Sequence, residues 1–154
     1  MLKEAPKASG ELKIVLRDEN GNIKDERRVK NLIVNSGLEY IVSRMKDATA
    51  TAMSHMEVGT GSTAAAASDT ALGAAVSGAR VALDSTTIPD GTPDDDLVYV
   101  ATFGAGTGTD ALTEAGIFNA ASVGTMLCRT VFSAVNKGAN DSLEITWTIS
   151  LSAS

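Results

Sequence analysis

The chain has 154 residues, of which 44% are hydrophobic but only 4% aromatic, and it carries a formal net charge of −6. That length predicts one domain that buries about two-thirds of its unfolded surface, around a core of Val, Ile, Leu, Ala and Met. An acidic chain lacks the basic face that a nucleic-acid partner needs, its most apolar run (Leu32–Val34) is too short for a membrane helix, no signal peptide is expected at its start, and its single cysteine, Cys128, excludes internal disulfides.

Charge is uneven along the chain. Residues 1–47 hold ten Lys/Arg against eight Asp/Glu, a net of +2, whereas residues 48–154 hold three against eleven, a net of −8. Residues 1–10 contain Pro6 and no hydrophobic period, and read as an arm; its Lys3 and Lys7, with Lys13 just beyond, suit it to reach onto a neighbour. From Glu11, Leu12, Ile14 and Leu16 alternate as on a half-buried strand. Asn20-Gly21 marks a tight hairpin turn, and the return strand runs to Val34.

One helix is expected near residues 37–46. Ser36 and Glu39 are spaced as a capping box, and Leu38, Ile41, Val42 and Met45 form one apolar stripe that should pack on a sheet or between protomers. The remainder reads as strands at 54–58, 79–86, 97–103, 113–120, 125–132 and 142–151, separated by Gly, Ser, Asp, Asn and Pro. In the last of these, Leu143, Ile145, Trp147, Ile149 and Leu151 alternate with polar residues, which places Ile145, Trp147 and Ile149 in the core. About eight strands in all predict a mainly β, antiparallel, jelly-roll-like β-sandwich over residues 11–154, with a partly closed barrel as the alternative.

Several motifs bear on chemistry. Val58–Gly73, "VGTGSTAAAASDTALG", contains a G-x-G-x-x-A run, but a dinucleotide site needs a helix directly after the glycines and a second βαβ unit. Neither is expected here, so the reading is a close-packing turn with Asp69 capping the short "TALG" turn, and no cofactor. Residues 104–116 repeat this texture, and Gly59, Gly61, Asp69, Gly104, Gly106 and Gly108 are expected at an oligomer interface or an exposed tip. His55 is the only histidine, which excludes a histidine-rich metal site, and no nucleophile elbow occurs. Asp90, Asp94, Asp95 and Asp96 are weak candidates for calcium, in a loop better read as a solvated acidic turn. No constellation supports catalysis, and Cys128 sits in a strand-like run as an inert buried thiol.

Five segments together carry a resemblance: "VKNLIVNSGLEYIVSRM" (29–45), "MEVGTGSTAAAASDTALG" (56–73) followed by Arg80, "TEAGIFNA" (113–120), "GTMLCRTVF" (124–132) and "LEITWTIS" (143–150). In this order they resemble small bacteriophage virion proteins of the capsid-decoration and tail-fibre or collar type. The resemblance implies a non-enzymatic, homo-oligomeric virion protein, a homotrimer, that assembles in the host cytoplasm and sits on the virion surface. Its partners would be capsid or tail and collar proteins. The lysines between Lys3 and Lys13, on a chain whose remainder is acidic, separately point to the arm, with the hairpin 11–34 behind it, as the main attachment. The size of the chain favours a capsid decoration subunit; a tail-fibre or collar adaptor is the alternative, and a host-glycan-binding module the alternative of another class.

Overall fold

A computed structural model describes residues 6–47, 49–89 and 95–153. Among them run β1 (Lys7–Arg17), β2 (Ile23–Lys30), β3 (Leu32–Ile33), α1 (Asn35–Lys46), β4 (His55–Gly59), β5 (Ala75–Ala82), β6 (Ser85–Thr87), β7 (Asp96–Phe103), β8 (Ala111–Phe118), β9 (Met126–Asn136) and β10 (Ser142–Ser152). They form two antiparallel five-stranded sheets, β2-β1-β10-β7-β6 and β3-β9-β8-β4-β5. Pairing is nested, with β1 against β10, β3 against β9 and β4 against β8. The described residues therefore form a β-sandwich with one helix.

Period-two alternation builds the core. In the first sheet Leu12 faces Trp147, which faces Tyr99; Ile14, Ile145 and Ala101 form the next row, and Leu16, Leu143 and Phe103 the one after. All nine side chains are buried, against Met56, Val58, Leu112, Ala115, Ile117 and Cys128 of the second sheet. A one-residue slip in β10 would turn Trp147 and its neighbours to water, so the register is strongly specified.

The structure corrects several expectations. There are ten strands among the described residues rather than eight, because the chain twice changes sheet within what reads as one strand: at Asn31, between β2 and β3, and at Leu83–Asp84, between β5 and β6. Lys7–Gly10 belong to β1 and not to an arm, since β10 extends far enough to pair with them and Ala8 packs on the core. Residues 1–5, including Lys3, lie outside the described residues.

The helix departs most. Ser36 does not cap it: α1 begins at Asn35, its N-cap is Val34 with no side-chain cap, and the Ser36 hydroxyl donates instead to the Met126 carbonyl at 2.9 Å. Nor does the whole stripe enter the core. Tyr40 and Ile41 pack against it, whereas Leu38, Val42 and Met45 are 45%, 61% and 80% exposed. Gly37 is the reason. A Cβ there would run into the Leu127 carbonyl of β9, so the glycine lets the helix backbone lie directly on that strand and rolls the stripe outward. Gly37→Ala should cost about 1–3 kcal/mol by overpacking. The denaturant midpoint checks it, and an unshifted midpoint contradicts the close approach.

Candidate functional site

The residues of the G-x-G-x-x-A run converge on the outer face of the second sheet. Ala115 and Ile117 of β8 point into the core, so Glu114 and Gly116 turn outward, and Arg129 of β9 stands opposite Gly116. The loop between β4 and β5 folds over this face. Its Leu72 packs with Val34, Phe118 and Met126 in a second, smaller core.

Beneath the loop Glu114 is fully buried. Its Oε1 accepts the N–H groups of Gly61 at 2.9 Å and Ala74 at 2.7 Å. Its Oε2 accepts the Gly73 N–H at 2.8 Å and is met by Arg129 Nε at 3.0 Å and Nη2 at 2.8 Å. Arg129, also buried, donates onward through Nη1 to Asp69 Oδ2 at 2.8 Å and through Nη2 to the Thr63 carbonyl at 3.0 Å. Asp69 caps no "TALG" turn; its Oδ2 accepts the Ala66 N–H at 2.9 Å while pairing with Arg129. The glycines make this fit. A Cβ on Gly61 would sit 2.5 Å from Glu114 Oε1, so a side chain there would push the loop off its anchor.

Chemically the cluster is closed. The Glu114 carboxylate accepts five donors, so none of its lone pairs faces an open position. Burial alone would raise its pKa, and that is the largest single effect. The N–H groups of Ala74 and Gly73, the Arg129 guanidinium and the Gly61 N–H together outweigh it and hold the group below the usual carboxylate range. The ion pair and its backbone donors clasp the loop to the sheet.

This has a consequence in acid. A carboxyl whose pKa is depressed by folding contributes stability that is fully present above its unfolded value, about 4.3. That stability is lost as pH falls through the folded value. Glu114→Gln should therefore lower stability near neutrality yet flatten the loss between about pH 5 and 3. Urea midpoints measured across that window test it; parallel curves for the two proteins contradict it.

Two smaller clasps follow the same plan. Arg80 pairs with Glu57 at 3.0 Å, lies 3.7 Å from the Phe118 ring centroid, and donates to the carbonyls of Ala120 and Val123. Lys137, buried between its neighbours, donates to the Gly104 carbonyl at 2.9 Å, and Gly106 N–H donates to the Ala139 carbonyl at 2.8 Å. The second Gly/Thr loop is thereby fastened to the β9–β10 turn.

The other candidate residues scatter. Gly59 and Gly108 are buried, Gly61, Asp69 and Gly104 half-buried, and Gly106 exposed. Lys13 pairs with Glu26 at 3.2 Å on the outer face of the first sheet, and Lys7 opens β1 opposite Ser152. His55 Nδ1 lies 2.8 Å from the neighbouring Ser54 Oγ. Asp90 and Asp94 fall outside the described residues, while Asp96 accepts from Ser150 Oγ. Among the described residues no three His, Cys, Asp or Glu gather as a metal site. Cys128 is buried, and burial pushes its thiol well above the ordinary range, so it has no thiolate to react with.

Two surface depressions lie apart from the cluster. A polar groove of about 500 Å³ crosses the outer face of the first sheet, lined by Glu11, Lys13, Arg28, Lys30, Thr146 and Thr148. An apolar cleft of about 480 Å³ opens beside α1, between Tyr40, Ile41, Met53, Ile88 and Leu151. Beside it stands the exposed stripe of α1. No protein-family model matches the chain, and no curated protein and no solved structure is significantly similar to it.

Proposed function

We propose that the protein is a non-enzymatic structural component of a bacteriophage virion, a homo-oligomeric β-sandwich that decorates or cements the capsid surface. The observation that carries this reading is the closed Glu114–Arg129–Asp69 cluster. Its charged groups are spent on holding a loop and not held open for a substrate. The same cluster joins segments on which the resemblance to virion proteins rests: "GTG" at 59–61, "DTALG" at 69–73, "TEAGIF" at 113–118 and Arg129. A protein built to carry load on a particle gains from loops fastened by buried charge and from an apolar stripe left outside.

Immunogold labelling of purified particles of the phage that encodes the chain tests the assignment. Label over the head is the expected result. Label confined to the tail or collar supports the adaptor reading instead, and unlabelled particles overturn both. A host-glycan module draws on one observation, the polar groove with its hydroxyl row. None of the groove's lining residues is aromatic, so a sugar would find no ring to stack on. Binding of the purified chain to a glycan array would favour that reading.

A further inference from the structure

Among the described residues eight large apolar side chains are well exposed, and three of them, Leu38, Val42 and Met45, lie on one stripe of α1. Single exposed apolar residues are ordinary, but a continuous stripe marks a surface that another surface covers. The charges beside it say which. Glu39 and Lys46, both exposed, stand on the same flank of the stripe, one toward each end of the helix. The opposite flank carries Gly37 and Ile41, which pack on the protein's own body.

This arrangement is self-complementary about Val42. Turn a second copy of the helix antiparallel, with a two-fold axis passing beside Val42, and Val42 meets its own counterpart. Leu38 then lies level with Met45 of the second copy, and Glu39 level with Lys46 of the second copy, to within about one helical rise of 1.5 Å. Both flanks with Glu39 and Lys46 fall on the same side of the pair, so two cross-helix ion pairs form. A parallel pairing would instead put the two Glu39–Lys46 flanks on opposite sides of the pair, where no cross-helix ion pair forms, and would align the helix dipoles. Lys46 already lies 3.2 Å from Asp47, but that pair is exposed and leaves the ammonium room for a second carboxylate. Nor does any charged residue interrupt the stripe itself.

We infer that the exposed face of α1 is an isologous interface that docks a second copy of this chain through an antiparallel α1–α1 contact centred on Val42, with Glu39 pairing to Lys46 across it. The inference does not depend on the virion assignment. It is a two-fold contact, distinct from the three-fold that the resemblance implies, and the two can coexist in a larger assembly.

Sedimentation of the purified full chain at micromolar concentration, with charge-reversal variants, tests it. The expected result is self-association that Val42→Glu weakens by about tenfold or more, with a melting temperature unchanged at concentrations low enough that both proteins are monomeric, because the residue is exposed in the monomer. Glu39→Lys alone should weaken association, Lys46→Glu alone should do the same, and the double variant should restore it, since the swap rebuilds both pairs only in the antiparallel register. Val42→Cys should cross-link to itself on oxidation. A wild-type chain that stays monomeric overturns the inference. So does an oligomer, trimer included, that is indifferent to Val42→Glu, or a double charge swap that adds damage to damage. None of these outcomes bears on whether the protein resides on a particle.

Discussion

Arg129→Met is expected to lower the stability of the fold by about 3–5 kcal/mol, the loss typical of removing one partner from a buried ion pair. The penalty comes from what stays behind. Glu114 would keep the N–H groups of Gly61, Gly73 and Ala74 but lose the one positive charge bonded to it among the described residues, at a fully buried position. Asp69 and the Thr63 carbonyl would lose their donor at the same stroke, so the middle of the loop would detach first. Urea unfolding measures the total. Hydrogen exchange at the amides of Gly61, Gly73 and Ala74 should show those three exchanging faster in the variant than strands β1 and β10. A loss under about 1 kcal/mol, the scale of an exposed pair, would mean that the pair does not hold the loop.

Trp147→Ala is expected to cost a similar 3–5 kcal/mol, for a different reason. Trp147 is fully buried between Leu12 and Tyr99 in the central rows of the first sheet, and its removal opens a cavity that β10, paired on both sides, cannot collapse to fill. Trp147→Phe should cost clearly less. The indole Nε1 is buried without a hydrogen-bond partner, so the smaller ring loses volume but sheds an unsatisfied donor. Intrinsic fluorescence gives an independent reading, since emission like that of free tryptophan in water would contradict the burial and the register of β10 together.

How far the sequence discloses this molecule depends on which element is asked. β10 and β1 are legible because one face is buried and the other largely wet, and alternation records that directly: Leu143 to Ile149 on one strand, Leu12 to Leu16 on the other; Leu151, which continues the alternation, is exposed. The changes of sheet at Asn31 and Leu83 leave no such mark, since crossing from one sheet to the other interrupts the ladder without interrupting the hydrophobic pattern. For α1 the stripe is legible but its direction is not. Amphipathy shows that a face is apolar; the close approach of Gly37 to β9 decides which face is inside.

Glu114 and Arg129 are the residues that spacing passes over. Each stands in an otherwise apolar strand, "TEAGIF" and "MLCRTVF", and a charge in such a run is itself the signal of a buried pair. The partner cannot be named from the sequence, because the loop that buries the pair has no periodicity and its anchoring donors are backbone N–H groups. The glycines at 59, 61 and 73 then acquire their meaning from Glu114 and Arg129, against which they lie.

Quantitative mass spectrometry of gradient-purified particles tests the central proposal most directly, by counting copies of this chain against the major capsid protein. Capsid decoration predicts that the chain stays with intact particles through high-salt washing, at a number comparable to the capsomers of the shell. A count of one or two rings' worth moves it to the tail or collar. Particles that are complete and infectious yet contain no copy of the chain contradict the account.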